Sequence, residues 1–155
     1  MERIPEPSPM LVDDLGEVLT LQRAAYATEA QAYGDPFLPA LTQTLDELRE
    51  EMEDADGLVL RVGGRIVAAV RWAVHDAAAH IGRITVAPDY QGRGLGTVLL
   101  RAAESESRAN RAVLFTGHLS HANLRLYERE GYVETHRSPL HGGVELVFMA
   151  KQLRA

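Results

Sequence analysis

From residue 84 to residue 97 the chain reads Ile-Thr-Val-Ala-Pro-Asp-Tyr-Gln-Gly-Arg-Gly-Leu-Gly-Thr, an apolar run and then three glycines at alternate positions, Gly92, Gly94 and Gly96. Glycine permits positive φ angles and close approach of a ligand to the backbone, both of which a β-carbon hinders. Leu95, Val98, Leu99 and Ala102 follow at helical spacing, so the loop opens a helix. The first N–H groups of that helix lack partners and its dipole is positive there, which suits a phosphate or pyrophosphate. Spacing narrows the ligand. A Gly-x-Gly-x-x-Gly dinucleotide turn begun at Gly92 would need glycine where Thr97 stands, and one begun at Gly94 would need it at Leu99. No Gly-Lys-Ser or Gly-Lys-Thr occurs, so a P-loop fails as well. The remaining structural alternative is a turn that only packs a helix on a sheet, but glycine at a helix start weakens the helix unless it serves something else.

Two further groups carry chemistry. Asn123 and Tyr127 are four apart in a stretch that reads helical, so they share a face. The six histidines raise the question of a metal. His118 and His121 are three apart, with His136 and His141 further on, yet there is no cysteine, no His-Glu-x-x-His and no cluster of carboxylates beside them. The sequence therefore predicts no metal site.

The elements that would position these residues follow from periodicity. Leu11 to Tyr33 reads as a helix ended by Gly34-Asp35-Pro36, with Pro39 in the same loop. Thr44-Leu45-Asp46-Glu47 resembles a capped helix start. Leu58 to Val62 and Ile66 to Val74 are strands joined by Gly63-Gly64-Arg65. Asp76 to Ala79 is a connection, and Ile81 to Val86 a third strand. A helix from Gly94 to Ala109, a strand at Ala112 to Thr116 and a helix from His121 to Glu130 follow, the last closed by Gly131. Strands at Tyr132 to Thr135 and Val144 to Met149 finish the chain around a loop at Ser138 to Gly143. No repeat or linker interrupts residues 1–155, so one α+β domain is expected.

Composition excludes several classes. The chain has 155 residues, 46% of them apolar and 25% charged, the balance of a globular protein. Its charge is −6, and its densest basic stretch, Arg101 to Arg111, is broken by Glu104 and Glu106, so no nucleic-acid partner is expected. Absence of cysteine removes disulfides and thiolate sites. No apolar run approaches the roughly 18 residues of a membrane span, and Met1 to Pro7 holds no apolar signal core. The expected location is the cytoplasm, without a membrane partner.

The segment Gln91-Gly92-Arg93-Gly94-Leu95-Gly96 resembles the Gln/Arg-x-x-Gly-x-Gly/Ala acyl-CoA signature of the GNAT N-acetyltransferase superfamily. Val86-x-Pro88 before it fits, as does Asn123-x-x-x-Tyr127-x-x-x-Gly131-Tyr132 about thirty residues on. The resemblance implies the GNAT fold, a mixed and mostly antiparallel central sheet flanked by helices and splayed at the acyl-CoA site, with a short first strand near Arg3 to Glu6. It implies acetyl-CoA as co-substrate, with its pantetheine arm along Ile84, Thr85 and Val86 and its pyrophosphate on the N–H groups of Gln91 to Gly96, near Thr97. It sets Asn123 and Leu126 against the arm and the Tyr127 hydroxyl near the thioester sulfur, as the acid for the departing thiolate. Many members carry a base Glu on the central strand about eleven residues before the glutamine. Here His80 stands there, so His80 and His118 are the candidate bases. The acceptor amine, on a small molecule or peptide, would meet Tyr26, Glu29, Tyr33 and Asp35, and a homodimer is possible because family members often form one. The expected activity is acetyl transfer to a primary amine by direct attack in a ternary complex. The rivals are an acyl-CoA-binding module without catalysis and a phosphate-binding interaction domain using the glycine loop alone.

Overall fold

The computed structural model describes residues 3–154. An edge strand β1 (Ser8–Pro9) leads through a 3-10 turn into α1 (Leu15–Tyr33), α2 (Pro39–Thr42) and α3 (Leu45–Glu51). Then come β2 (Asp56–Val62), β3 (Arg65–His75), β4 (Ala78–Val86), α4 (Leu95–Ser107), β5 (Arg111–Gly117), α5 (His121–Arg129), β6 (Val133–Pro139) and β7 (Glu145–Gln152). The strands form one sheet in the order β1-β2-β3-β4-β5-β7-β6, antiparallel throughout except where β4 meets β5. This is the mixed α+β architecture that the sequence implies.

Local chemistry accounts for the boundaries. α1 stops at Gly34, which takes the left-handed φ of 62° and returns its N–H to the carbonyls of Ala30 and Gln31. α3 begins with a complete capping box: the Glu47 N–H donates to Thr44 Oγ1 (3.2 Å), and the Thr44 N–H donates to the Glu47 carboxylate (2.9 Å). Every residue of β3 from Ile66 to Trp72 is buried, which is why the run reads as continuously apolar; α4 packs on one face and α1 on the other.

Four expectations move; one is β6, which runs on to Pro139 through two residues that read as loop. The first strand lies at Ser8–Pro9, paired with Val59 and Leu58, and not at Arg3 to Glu6. Pro5 and Pro7 cannot donate to a ladder, and Pro9 is tolerated because the strand lies at the edge. α2 is helical where the sequence reads as loop, with Pro39 at its first turn. β4 starts at Ala78, since Asp76 and Ala77 take φ of 52° and 62° and complete a two-residue turn without glycine.

The feature that makes a site is where the sheet opens. β4 and β5 pair only from Ala78 to His80 against Arg111 to Val113. Beyond that the two strands part. β4 is also bulged: Ala69 pairs with Thr85 but Arg71 with Gly82, so Arg83 and Ile84 together oppose Val70. Arg83 takes φ of 51° to do so. A bulge bends its strand and disrupts the local ladder.

Candidate active site

Two cavities meet in the gap. One, of about 500 Å³, lies among α1, α2, the parted ends of β4 and β5, and the loop before β7. The other, of about 360 Å³, runs from the gap to the start of α4. Tyr26, Glu29, Ile84 and Asn123 line both, so the cavities share a wall.

The smaller cavity ends in a cradle of open backbone N–H groups. Gly92 and Gly94 take φ of 78° and 82°, and Gly94 serves as the N-cap of α4 with no side chain capping it. The first bond of the helix runs from the Val98 N–H to the Gly94 carbonyl (3.2 Å), so the N–H groups of Leu95, Gly96 and Thr97 precede the ladder. Gly92, Gly94, Gly96 and Thr97 line the cavity, with Leu126 opposite. The Gln91 side chain turns back and donates from Nε2 to the Val86 carbonyl (3.2 Å). Arg93 does not line this cavity; its guanidinium lies over the Tyr90 ring (4.7 Å). Arg65 approaches the same ring (5.6 Å) while gripping Asp89 with two bonds of 2.7 and 2.8 Å.

Along β4, the Ala87 N–H is used on the Val67 carbonyl of β3 (2.8 Å). Backbone groups alternate sides along a strand, so Ile84 and Val86 turn theirs into the gap and Thr85 does not. Ile84 and Val86 accordingly line the smaller cavity, while Thr85 is buried beside Ala69 and lines neither.

Tyr127 is buried, tilted against Tyr132 with ring centroids 6.0 Å apart, and lines the larger cavity. Its hydroxyl has no hydrogen-bond partner among the described residues. Burial, then the nearby Tyr26 hydroxyl and Glu29 carboxylate, push its pKa well above the usual tyrosine value, so it stays a protonated donor. Asn123 Nδ2 donates to Thr116 Oγ1 (3.3 Å) on β5 and stands between the cavities.

Tyr26, Glu29 and Tyr33 all face the larger cavity from α1. Arg83, on the bulge, lies over the Tyr26 ring (5.7 Å). Sequence reasoning missed Ser120, whose hydroxyl donates to Glu29 Oε2 (2.6 Å) and lies 2.9 Å from the Tyr33 hydroxyl. The signal for it was a serine just before a helix. Such a serine reads as a cap, but here its side chain makes no cap bond. Asp35 lines neither cavity and accepts the Phe37 N–H (2.8 Å) within its own turn.

The two histidines lie outside both cavities. His80 pairs with Val113 in the joined part of β4 and β5, is exposed, and packs edge-on against His75 (5.5 Å). Counting back from Gln91 locates a strand position but cannot show on which side of the divergence it falls. His118 lines neither cavity; its Nδ1 accepts the Glu145 N–H (2.9 Å). The Nδ1 lone pair is thus engaged by a backbone amide on β7.

A sheet opened beside an open helix start, with a second cavity on the far side of the opening, leaves room for two molecules side by side. A family model described as an acetyltransferase (GNAT) domain matches residues 24–153, and the chain belongs to this family of acetyltransferases. No curated protein matches it in sequence. Among solved structures it is similar to the ribosomal-protein-S18-alanine N-acetyltransferase of Escherichia coli (23% identity, TM-score 0.80, 96% of this chain and 94% of that one). It is also similar to yncA of Salmonella typhimurium, solved with acetyl-CoA (18%, 0.76, 99% and 96%). A third is the PaiA N-acetyltransferase of Thermoplasma acidophilum, solved with coenzyme A (15%, 0.74, 95% and 98%). At these identities the likeness speaks for the fold.

Proposed function

We propose that the protein transfers the acetyl group of acetyl-CoA to a primary amine on a small molecule or peptide, by direct attack in a ternary complex. The observation that carries this reading is the shared wall of the two cavities at the parted strands. A thioester lying along β4 and an amine entering between α1 and β5 would meet there. Two of the similar structures were solved with coenzyme A or acetyl-CoA, which supports that choice of donor.

In this reading the N–H groups from Gln91 to Thr97 hold the pyrophosphate, as open helix starts hold anions. Ile84 and Val86 align the pantetheine arm, with Asn123 and Leu126 on its other side. The Val86 N–H polarises the thioester carbonyl and stabilises the oxyanion that forms on attack. Tyr127, kept protonated by its burial, donates its hydroxyl proton to the departing thiolate. Holding both reactants in register supplies much of the rate, since effective molarities of about 10⁵ M are common for well-oriented groups.

The test is a panel of primary amines (propylamine, a diamine, free amino acids and a tripeptide with a free α-amine) with acetyl-CoA, read by release of free thiol. Amine-dependent release is expected from at least one. Acetyl-CoA binding without release from any would support a non-catalytic acyl-CoA module instead.

A further inference from the structure

Resting on the acetyl-transfer reading, we propose that Glu29 is the base that takes the proton from the acceptor nitrogen, fixed for that task by Ser120 and Tyr33. Among the described residues Glu29 is the carboxylate lining both cavities, so it stands where amine and thioester would meet. Glu51 lines the larger cavity alone, and both its oxygens are engaged. Arg71 donates from Nε (2.6 Å) to one; Arg71 Nη2 (3.2 Å) and Gln43 Nε2 (2.8 Å) donate to the other. On Glu29, Oε2 takes the Ser120 hydroxyl, and Oε1 has no partner among the described residues.

The direction of the hydrogen bonds around Glu29 follows from which groups can only donate. The Leu119 N–H donates to the Tyr33 hydroxyl oxygen (3.0 Å). The Ser120 hydrogen is committed to Glu29, so the Tyr33 hydrogen points to Ser120 Oγ (2.9 Å). Three donors in series end on one carboxylate oxygen. The series begins at a backbone amide, which cannot take up a proton, so it anchors Glu29 and drains nothing from it. Two sacrifices elsewhere fit this purpose. Ser120 occupies the cap position of α5 yet gives its hydroxyl to Glu29. Gly117 lies directly under the Tyr33 phenol, where any β-carbon would overlap the Tyr33 hydroxyl.

The step balances as follows. An alkylammonium, with a reference pKa of about 10.4, is too weak an acid to give its proton to a carboxylate, so the small free-amine fraction attacks. Its lone pair forms the nitrogen–carbon bond, and the adduct nitrogen, now positively charged and far more acidic, passes its proton to Glu29 Oε1. The carbon–sulfur bond then breaks, the sulfur keeps the electron pair and takes the Tyr127 hydroxyl proton. The proton on Glu29 returns to the Tyr127 oxygen through water in the cavity. The products are amide and free thiol, with both side chains restored.

The experiment uses the full chain, acetyl-CoA and the amine from the panel with the fastest turnover. Glu29→Gln should lower kcat at least ~100-fold, the scale of a lost general base, with the amine KM within about threefold and acetyl-CoA binding unchanged. Ser120→Ala and Tyr33→Phe should each lower kcat about tenfold at similar KM, and Ser120→Thr should recover most of it. A rise in KM with kcat preserved in Glu29→Gln would show that Glu29 only binds the ammonium, and would overturn the proposal; so would unchanged kinetics. Should Glu29→Gln not fold, Glu29→Asp, which withdraws the carboxylate by one methylene, should show the same kcat loss, and wild-type kcat in that variant would overturn it. A wild type that binds acetyl-CoA but turns over no amine overturns the acetyl-transfer reading itself, and this assignment with it.

Discussion

Gly92 and Gly94 are fixed by angle, whereas Gly96 is held by neither angle nor space. The first two hold φ of 78° and 82° with open space where a β-carbon would go. At Gly96 a β-carbon would lie 3.5 Å from Leu126 Cδ2 and 3.8 Å from Ile84 Cγ2, ordinary van der Waals contact. Gly94→Ala should therefore cost about 1–2 kcal/mol of stability and weaken acetyl-CoA binding, since the cradle must distort to relieve the angle. Gly96→Ala should stay within about 0.5 kcal/mol of wild type. Chemical unfolding followed by the fluorescence of Trp72, the single tryptophan and a core residue, checks both. Tyr127→Phe should keep acetyl-CoA affinity and slow turnover at least about tenfold in a thiol-release assay, because it removes the proposed acid and leaves the packing. The glycines were legible in the sequence because angle and close approach are properties of a residue type at its own position. Ser120 was not: its partner on α1 is 91 residues away along the chain, and a serine before a helix has a sufficient local explanation. That His80 lies outside the cavities was not legible for a related reason, since distance along a strand says nothing about where its neighbour departs.

At the scale of elements, one buried arginine ties the first third of the chain to the sheet. Arg71 on β3 is 3% exposed and donates from Nη1 to Gln22 on α1 (2.9 Å) as well as to Glu51 on α3. Gln22 in turn donates to the Ala40 carbonyl of α2 (2.8 Å) and to Gln43 (3.0 Å). Ala40 and Glu51 line the larger cavity, so this network sets the position of its wall. Burial pushes the Glu51 carboxyl up, but Arg71, Gln43 and the more distant Arg83 outweigh it and hold the pKa below the ordinary 4.5. A depressed carboxyl pKa contributes stability that is full above the unfolded value and is lost as pH falls through the folded one. Wild type should thus lose this contribution below about pH 4.5, and Glu51→Gln should flatten that part of the profile in pH-dependent unfolding. Arg71→Met should cost about 2 kcal/mol, less than for a wholly buried pair because Glu51 is 37% exposed. α1, α3 and the β2–β3 hairpin were legible from periodicity, capping and paired glycines, whereas α2 and the glycine-free turn before β4 were not. The network was not, because a mid-strand arginine in an apolar run gives no hint of its partners.

At the scale of the whole molecule, the sheet is held together across its middle by only a short parallel contact, Ala78 to His80 against Arg111 to Val113. Past it, β4 with α4 lies on one side of the wedge and β5 with α5 on the other, and the two cavities fill the space between. That topology was implied by the resemblance and not by periodicity, since a strand pattern does not record that a neighbour has left. In the proposed function a ligand in the wedge would replace missing strand contacts on one side and touch Asn123 and Leu126 on the other, so its binding should stabilise the fold as a unit. At ~100 times its dissociation constant, acetyl-CoA should add about 2.7 kcal/mol, or roughly 5 to 10 °C in melting temperature for a domain of this size. ATP and NAD at equal concentration offer phosphates to the cradle but no arm to lie along Ile84 and Val86, and should give little shift. Hydrogen exchange should slow at the same time in the outer half of β4 and the start of α5, the two sides of the wedge. Equal shifts with all three ligands would put recognition in the phosphates alone and would leave the groove along β4 without a part in binding.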